Sequence, residues 1–238
     1  MTRRSKAYLL LIAIMVLAAP AAMAQMSEKE KASQIKKAAE TSKKSAKVMD
    51  ELMKIPASSI PEALLNKAKA IAVFPGVKKV AFGIGGSGGQ GLISRRLASG
   101  WSAPVAFKLA QGSVGFQIGA SSTDYVLLFM NEDGLKNLLE DRFELGGEAS
   151  VAAGPVGRTG AATTDAQLQA EILSYSRSKG LFAGISLKGG AISPDNDRNM
   201  ALYGFEAKEL LTGDNKIAIA DIPAATRTFH QAITRAAK

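Results

Sequence analysis

Gly100-Trp101-Ser102-Ala103-Pro104-Val105-Ala106-Phe107-Lys108-Leu109-Ala110-Gln111-Gly112-Ser113-Val114-Gly115-Phe116-Gln117-Ile118-Gly119 decides the fold class. Val105, Phe107 and Leu109 alternate with Ala106 and Lys108; beyond Gln111-Gly112, Val114, Phe116 and Ile118 alternate with Gly115, Gln117 and Gly119. A period of two on either side of a short Gly-containing break predicts a β-hairpin. The second face of these strands is mostly Gly and Ala, not charged, and a face without side chains lets another backbone approach closely. Upstream, Val80, Phe82 and Ile84 alternate with Ala81, Gly83 and Gly85. Downstream, Leu181, Ala183, Ile185 and Leu187 alternate with Phe182, Gly184 and Ser186. The expected fold is α+β: a Gly-rich, largely antiparallel sheet that curls toward a barrel or sandwich, flanked by N- and C-terminal helices.

The chain of 238 residues is long enough for one domain with a full core, and its apolar content of 47% is ordinary for a globular protein. It has no cysteine, which excludes disulfides, thiolate metal sites and cysteine nucleophiles. The single histidine, His230, excludes a multi-histidine metal site and falls on the last expected helix, where it reads as a surface or helix-end residue. A nucleophile needs a base within hydrogen-bond reach, and no Gly-x-Ser-x-Gly elbow is present, so neither an enzyme nor a cofactor is expected.

Residues 1–24 read as a secretory signal. Arg3, Arg4 and Lys6 precede the short apolar run Leu9 to Ala19, and Ala22-Met23-Ala24 is a small-x-small cleavage site before Gln25. Three of the 30 basic residues and no acid lie in this segment, so its removal takes the net charge from +9 to +6. That excess favours anionic partners, and export favours lipid head groups over nucleic acid. The expected location is periplasmic or secreted, with peripheral attachment to a membrane.

Residues 25–57 read as an amphipathic basic helix, because Ser27 to Lys54 is rich in Lys, Ala and Glu and free of Gly and Pro. At a helical period, Lys29, Lys36, Lys37, Lys43, Lys44 and Lys47 share an arc of about 120°. Ile35, Ala38, Ala39, Ala46, Met49 and Met53 occupy the opposite arc. Such a helix docks by its apolar face and offers its lysines either to water or to a membrane surface.

Residues 58–238 form the remaining domain. Ser59-Ile60-Pro61-Glu62 is a capping-box signature for a short helix to about Ala70, followed by a strand at Ile71 to Phe74 and a turn at Pro75-Gly76. Gly83-Ile84-Gly85-Gly86-Ser87-Gly88 matches a dinucleotide fingerprint by letters, but no helix follows to hold a pyrophosphate. It reads instead as a glycine-rich strand and turn closed by Arg95-Arg96. Tyr125 to Met130 reads as a buried central strand, and Asn131 to Glu140 as a short helix. Glu171 to Ser176 and Leu181 to Leu187 form a second hairpin whose turn carries Arg177 and Lys179. Arg95, Arg96, Arg177 and Lys179 are further candidates for phosphate contact. Asp195, Asp197, Asn199 and Glu206 have calcium-loop spacing, but Met200 stands where that loop needs Gly, so no metal is expected. Ile217 to Ala220 reads as a strand, and Pro223 to Ala237 as a closing helix.

Four separated stretches occur in one order: Gly100-Trp101-Ser102-Ala103-Pro104, Gly115-Phe116-Gln117-Ile118-Gly119, Ala153-Gly154-Pro155-Val156-Gly157-Arg158, and Ser174-Tyr175-Ser176-Arg177-Ser178-Lys179-Gly180-Leu181-Phe182-Ala183-Gly184. In this the chain resembles the SYLF-domain family, from about Ser58 to the C-terminus, as a secreted bacterial-type member. The resemblance implies lipid binding, notably of phosphoinositides in eukaryotic members, actin binding in some, and no enzymatic activity. Actin is a doubtful partner for an exported chain. The expected function is therefore non-catalytic binding of anionic phospholipid at a membrane surface; the alternative is an envelope module that binds other envelope proteins. The signal reading predicts that the exported protein begins at Gln25, and its intact mass checks this: a membrane-pelleted form retaining residues 1–24 contradicts it.

Overall fold

A computed structural model of the chain describes residues 26–54, 59–82, 84–114, 119–157, 169–178, 181–212 and 217–237. The order is α1 (Glu28–Lys54), α2 (Glu62–Lys67), β1 (Ala70–Phe82), β2 (Ile84–Leu97), β3 (Gly100–Trp101), β4 (Val105–Val114), β5 (Gly119–Phe129), α3 (Glu132–Asn137), β6 (Phe143–Glu144), β7 (Val151–Ala153), β8 (Ile172–Ser178), β9 (Leu181–Gly184), β10 (Gly190–Pro194), α4 (Asn196–Tyr203), α5 (Ala207–Leu211) and α6 (Ala224–Ala236). The fold is α+β, as expected: a strongly curled half-barrel sheet in the order β6-β10-β4-β2-β1-β5-β8-β7, with helices from both ends of the chain packed on it. Its named strand pairs are antiparallel except β7 with β8.

Both faces of the sheet are buried in its lower half. The concave face gathers Ala72, Phe74, Ile93, Phe107, Leu127 and Phe129 around Phe143 and Ile192. Leu145 and Ala149 straddle the gap between the edge strands and join this inner cluster. The convex face gathers Ile71, Val73, Leu92, Ala106, Val126 and Leu128 under Met49 and Leu52 of α1 and Phe229 and Ile233 of α6. Burial on both faces explains why Tyr125 to Met130 is an unbroken apolar run.

The expected hairpin at Gln111-Gly112 is not formed. β4 runs straight through that pair, because Gln111 and Gly112 are bonded in register to Ser87 and Gly86 of β2. β4 pairs with β2 and β10, and β5 pairs with β1 and β8, so the two lie on either side of the β1–β2 hairpin. The spatial order β5-β1-β2-β4 is that of a Greek key. Pro75-Gly76 is likewise no turn. It is a bulge within β1, one residue longer than the facing segment of β5 between Phe74↔Tyr125 and Val77↔Thr123. Gly76 takes φ +60°, which glycine adopts without strain, and its amide donates to Asp124 Oδ1 at 2.8 Å.

Smaller readings change for equally local reasons. α1 starts with a Ser27/Glu30 capping box, but its buried face is Ala38, Thr41, Ser42, Ser45, Ala46, Val48, Met49 and Leu52. Ile35 and Met53, assigned to the apolar arc, are 36% and 40% exposed. α2 begins at Pro61 with no side-chain cap. Ile219–Asp221 is a 3-10 turn rather than part of a strand. His230 is buried, not superficial.

The glycines of the bare face divide into two kinds. On Gly184 an added Cβ would land on the carbonyl oxygen of Gly154, and on Gly154 it would enter the Tyr175 ring. Here the expected close approach of backbones is real. Among the described residues an added Cβ at Gly112 meets nothing within 4 Å, and at Gly86 and Gly88 the nearest atom is a carbonyl oxygen 3.8 Å away. Gly115 lies outside the described residues. Gly184→Val should therefore overpack a backbone contact, at a cost of about 3 kcal/mol or more, a large share of the ~5–15 kcal/mol that holds a domain folded. Gly112→Val should stay within about 0.5 kcal/mol of wild type, as strand propensity favours it and no neighbour opposes it. Thermal melts of the two variants check the contrast; equal melting would contradict it.

Candidate functional site

The sequence motif Gly100-Trp101-Ser102-Ala103-Pro104 turns out to be a fastening point. Trp101 Nε1–H donates to the Ala237 carbonyl at 3.0 Å, and Nε2 of His230 lies 3.0 Å from the Trp101 carbonyl. Ser102 Oγ accepts the Arg95 amide, and the Tyr203 hydroxyl donates to the Pro104 carbonyl. Burial pushes the Tyr203 phenol above its ordinary pKa. These bonds tie α6 and α4 to the sheet and engage His230 with a backbone carbonyl. Among the described residues no cluster of three or more His, Cys, Asp or Glu side chains suits a metal.

The basic candidates separate by what they touch. The Arg96 guanidinium donates from Nε to the Ala68 carbonyl and from Nη2 to the Leu65 carbonyl, and lies 4.3 Å over the Trp101 ring. It closes the C-terminal end of α2. Arg95 donates to the Leu211 carbonyl at the end of α5, with Glu132 3.8 Å away. Arg177 bridges two elements: it pairs with Asp124 of β5 at 2.7 Å and with Glu51 of α1, and it faces the Phe182 ring. The internal contacts of these three arginines were invisible in sequence because the partners lie tens of residues away. Lys179 lies outside the described residues.

Lys29, Lys36, Lys37, Lys43, Lys44 and Lys47 are all exposed. The helix that carries them is held by apolar contact with α6, by a bond from the Phe229 amide to Ser42 Oγ, and by Arg235 to Asp50 at 2.9 Å. From Glu28 to Lys37 no residue is fully buried, and Gln34 alone is partly covered, with its Oε1 shielded. The lysine face is continuous apart from Glu40 and Glu51, and Glu51 is engaged with Arg177 and Lys47.

Beside this face lies a cleft of about 490 Å³ between α1 and the upper half of the sheet. Thr41 and Lys44 of α1 form one wall; Lys78 of β1, Gly88 and Gln90 of β2 and Lys108 of β4 form the other. The β1 bulge sets this arrangement. Phe74 and Val77 both belong to the inner cluster, so the next residue, Lys78, turns to the helix side. Were these same residues a regular strand with no bulge, the alternation would place Lys78 on the face of Phe74, inside the half-barrel. Lys108 Nζ sits 3.0 Å from the buried carboxylate of Asp195, which also lies 3.5 Å from Arg198 Nη1. Arg198 is 1% exposed, and its Nη2 donates to Gln90 Oε1 in the cleft wall. Burial pulls the Arg198 guanidinium below its ordinary pKa, and Asp195 opposes that pull. Asn199 completes the support: its amide group donates to the Ala106 carbonyl and accepts the Ala106 amide, continuing the ladder where β10 ends. Sequence spacing places Asp195 and Asn199 in a calcium-loop pattern that Met200 argues against; in the structure they bind Lys108, Arg198 and β4.

Comparison with known proteins adds the family. A family model named Ysc84, described as "Las17-binding protein actin regulator", matches residues 110–236. The chain is similar to "LAS seventeen-binding protein 3" of Saccharomyces cerevisiae, 39% identical over 160 residues, which is 65% of this chain and 35% of that protein. It is 37% identical over 170 residues to "Protein YSC84" of the same organism, covering 69% and 36%. To "SH3 domain-containing YSC84-like protein 1" of Mus musculus it is 34% identical over 181 residues, covering 72% and 53%. The chain thus spans between about a third and about half the length of these curated relatives. The family's description names actin regulation, so the doubt about actin finds no support. The model matches more than half of the sequence, and the chain belongs to the Ysc84 family, the SYLF-domain family that its ordered motifs resemble.

Proposed function

We propose that the protein is a non-catalytic, peripheral binder of anionic lipid, acting outside the cytoplasm, with the lysine face of α1 as its contact. The observation that carries this reading is the exposure of all six lysines on a helix whose opposite face is docked on the core. A docked helix presents its charge without an ordering cost at the moment of contact, unlike a peptide that must fold on the membrane. Arg95, Arg96 and Arg177 contribute to the fold instead, since each guanidinium is already held by carbonyls or carboxylates. Among the described residues no helix is long and apolar enough to cross a bilayer, which is consistent with attachment through charge. The extracytoplasmic location rests on the signal-like composition of residues 1–24, which lie outside the described residues.

A second reading is favoured by the relatives' own descriptions: a protein-interaction module whose partner belongs to the actin machinery. Lipid charge separates the two. Replacing Lys36, Lys37, Lys43 and Lys47 with Gln should weaken binding to anionic vesicles by up to about 4 kcal/mol, at ~1 kcal/mol per basic residue near the surface. Raising salt should reproduce the loss in the wild type. The melting temperature should hold, because exposed lysines contribute little packing. Co-sedimentation with vesicles of graded charge is the measurement, and binding indifferent to both treatments contradicts the proposal. Arg177→Gln should do the converse. It leaves Glu51 and Asp124 facing each other without their shared cation, costs about 1–3 kcal/mol of stability, and lowers vesicle affinity less than the four lysine changes do, through the one freed carboxylate of Glu51 beside the lysine face.

A further inference from the structure

The cleft between α1 and the bulged hairpin has features that a soluble lysine face does not need. Three lysines, Lys44, Lys78 and Lys108, line it, and no carboxylate is among its described lining residues. Neither Lys44 nor Lys78 has an ion-pair partner among the described residues. Lys108 is positioned by Asp195, but that carboxylate also faces Arg198, so the trio keeps one net positive charge. Arg198 is buried behind Gln90; its Nη1 faces Asp195 Oδ2 at 3.5 Å, and its Nε has no hydrogen-bond partner among the described residues. Asp195 offsets only one of the two cations that it touches, which leaves positive charge at the cleft wall for an anion to offset. The floor is open at Gly88, where an added Cβ meets no atom of the described residues closer than 3.8 Å. A volume of about 490 Å³ falls within the ~300–1,000 Å³ of small-molecule sites.

We infer that this cleft is a site for a phosphomonoester group, held by Lys44, Lys78 and Lys108 above the bare backbone at Gly88. A monoester carries about −1.5 to −2 charge at neutral pH and three acceptor oxygens, which matches three ammonium donors. A phosphodiester carries one charge and two free oxygens, and fills the site less well. The inference rests on the lipid reading in taking a lipid monoester, such as phosphatidic acid, as one source; a free sugar or glycerol phosphate offers the same chemistry. The α1 lysines then supply general attraction to the surface, and the cleft supplies the choice of head group.

The test compares phosphatidylcholine vesicles carrying phosphatidic acid with vesicles carrying enough phosphatidylglycerol to match their charge, and separately titrates soluble glycerol 3-phosphate. The wild type should prefer phosphatidic acid by about tenfold, the factor that one additional charge-assisted bond provides. Gly88→Val fills the cleft and Lys78→Gln removes one donor. Both should abolish the preference while phosphatidylglycerol binding persists through α1. Saturable binding of glycerol 3-phosphate that both variants lose, without any vesicle preference, supports the cleft with a free ligand as its source. If vesicle binding is absent altogether, that same soluble result sustains the cleft and overturns the helix reading. Vesicle binding with neither a preference nor soluble binding overturns the cleft and spares the helix reading. A preference that survives both variants also overturns the cleft. Lys78 is an exposed side chain, so Lys78→Gln carries the test if Gly88→Val melts early.

Discussion

The carboxylate of Asp124 holds the bulge and the helix in one relationship. One oxygen accepts the Gly76 amide at the bulge, and the other accepts Arg177, which reaches on to Glu51 of α1. An irregularity in β1, strand β8 on the other side of β5 and the helix α1 are thus referred to a single side chain. The bulge decides which face Lys78 occupies, and the Arg177–Glu51 pair decides where α1 stands over that face. Side chains fixed to two separate elements can line a cleft only if those elements keep their spacing, and this relay keeps it.

The bare sheet face serves two purposes in two regions. Near Gly154 and Gly184 the missing side chains let two backbones touch, and Tyr175 closes over them with its hydroxyl buried and, among the described residues, without a partner. Burial drives that phenol well above its ordinary pKa, so it stays neutral and acts as packing. At Gly86, Gly88 and Gly112 the same composition leaves a floor where an added Cβ meets no atom of the described residues closer than 3.8 Å. Composition alone could not separate an occupied gap from a vacant one, because the difference lies in what the rest of the chain brings opposite.

Elements set by local periodicity were legible. The α1 span, the buried run in β5, the hairpin at β8–β9 and the last helix were read close to their observed limits. Errors arose where a distant partner overrides a local signal. Gln111-Gly112 resembles a turn, but its register with Ser87 and Gly86 keeps β4 straight. Pro75-Gly76 resembles a turn, but Asp124 makes it a bulge. His230 is drawn inward by the Trp101 carbonyl. Of the candidate site, the lysine arc was readable because helix geometry is periodic. The cleft was not: Lys44, Lys78 and Lys108 come from three elements, and no spacing rule connects them. Arg95, Arg96 and Arg177 looked free because positive charge in a turn carries no mark of the carbonyls that await it.

The Greek-key order has a bearing on where the domain begins. The two strands in the middle of the half-barrel, β1 and β2, come from residues 70–97, ahead of the segment that the family model matches. A fragment starting at residue 110 would lack the neighbours of β4 and β5 on their facing sides and would carry two raw sheet edges, each a template for intermolecular pairing. It would also lose Met49 and Leu52 from the convex core. The autonomous folding unit is therefore longer than the recognisable motif region, and a truncation series in this family should be cut before the basic helix, not after it.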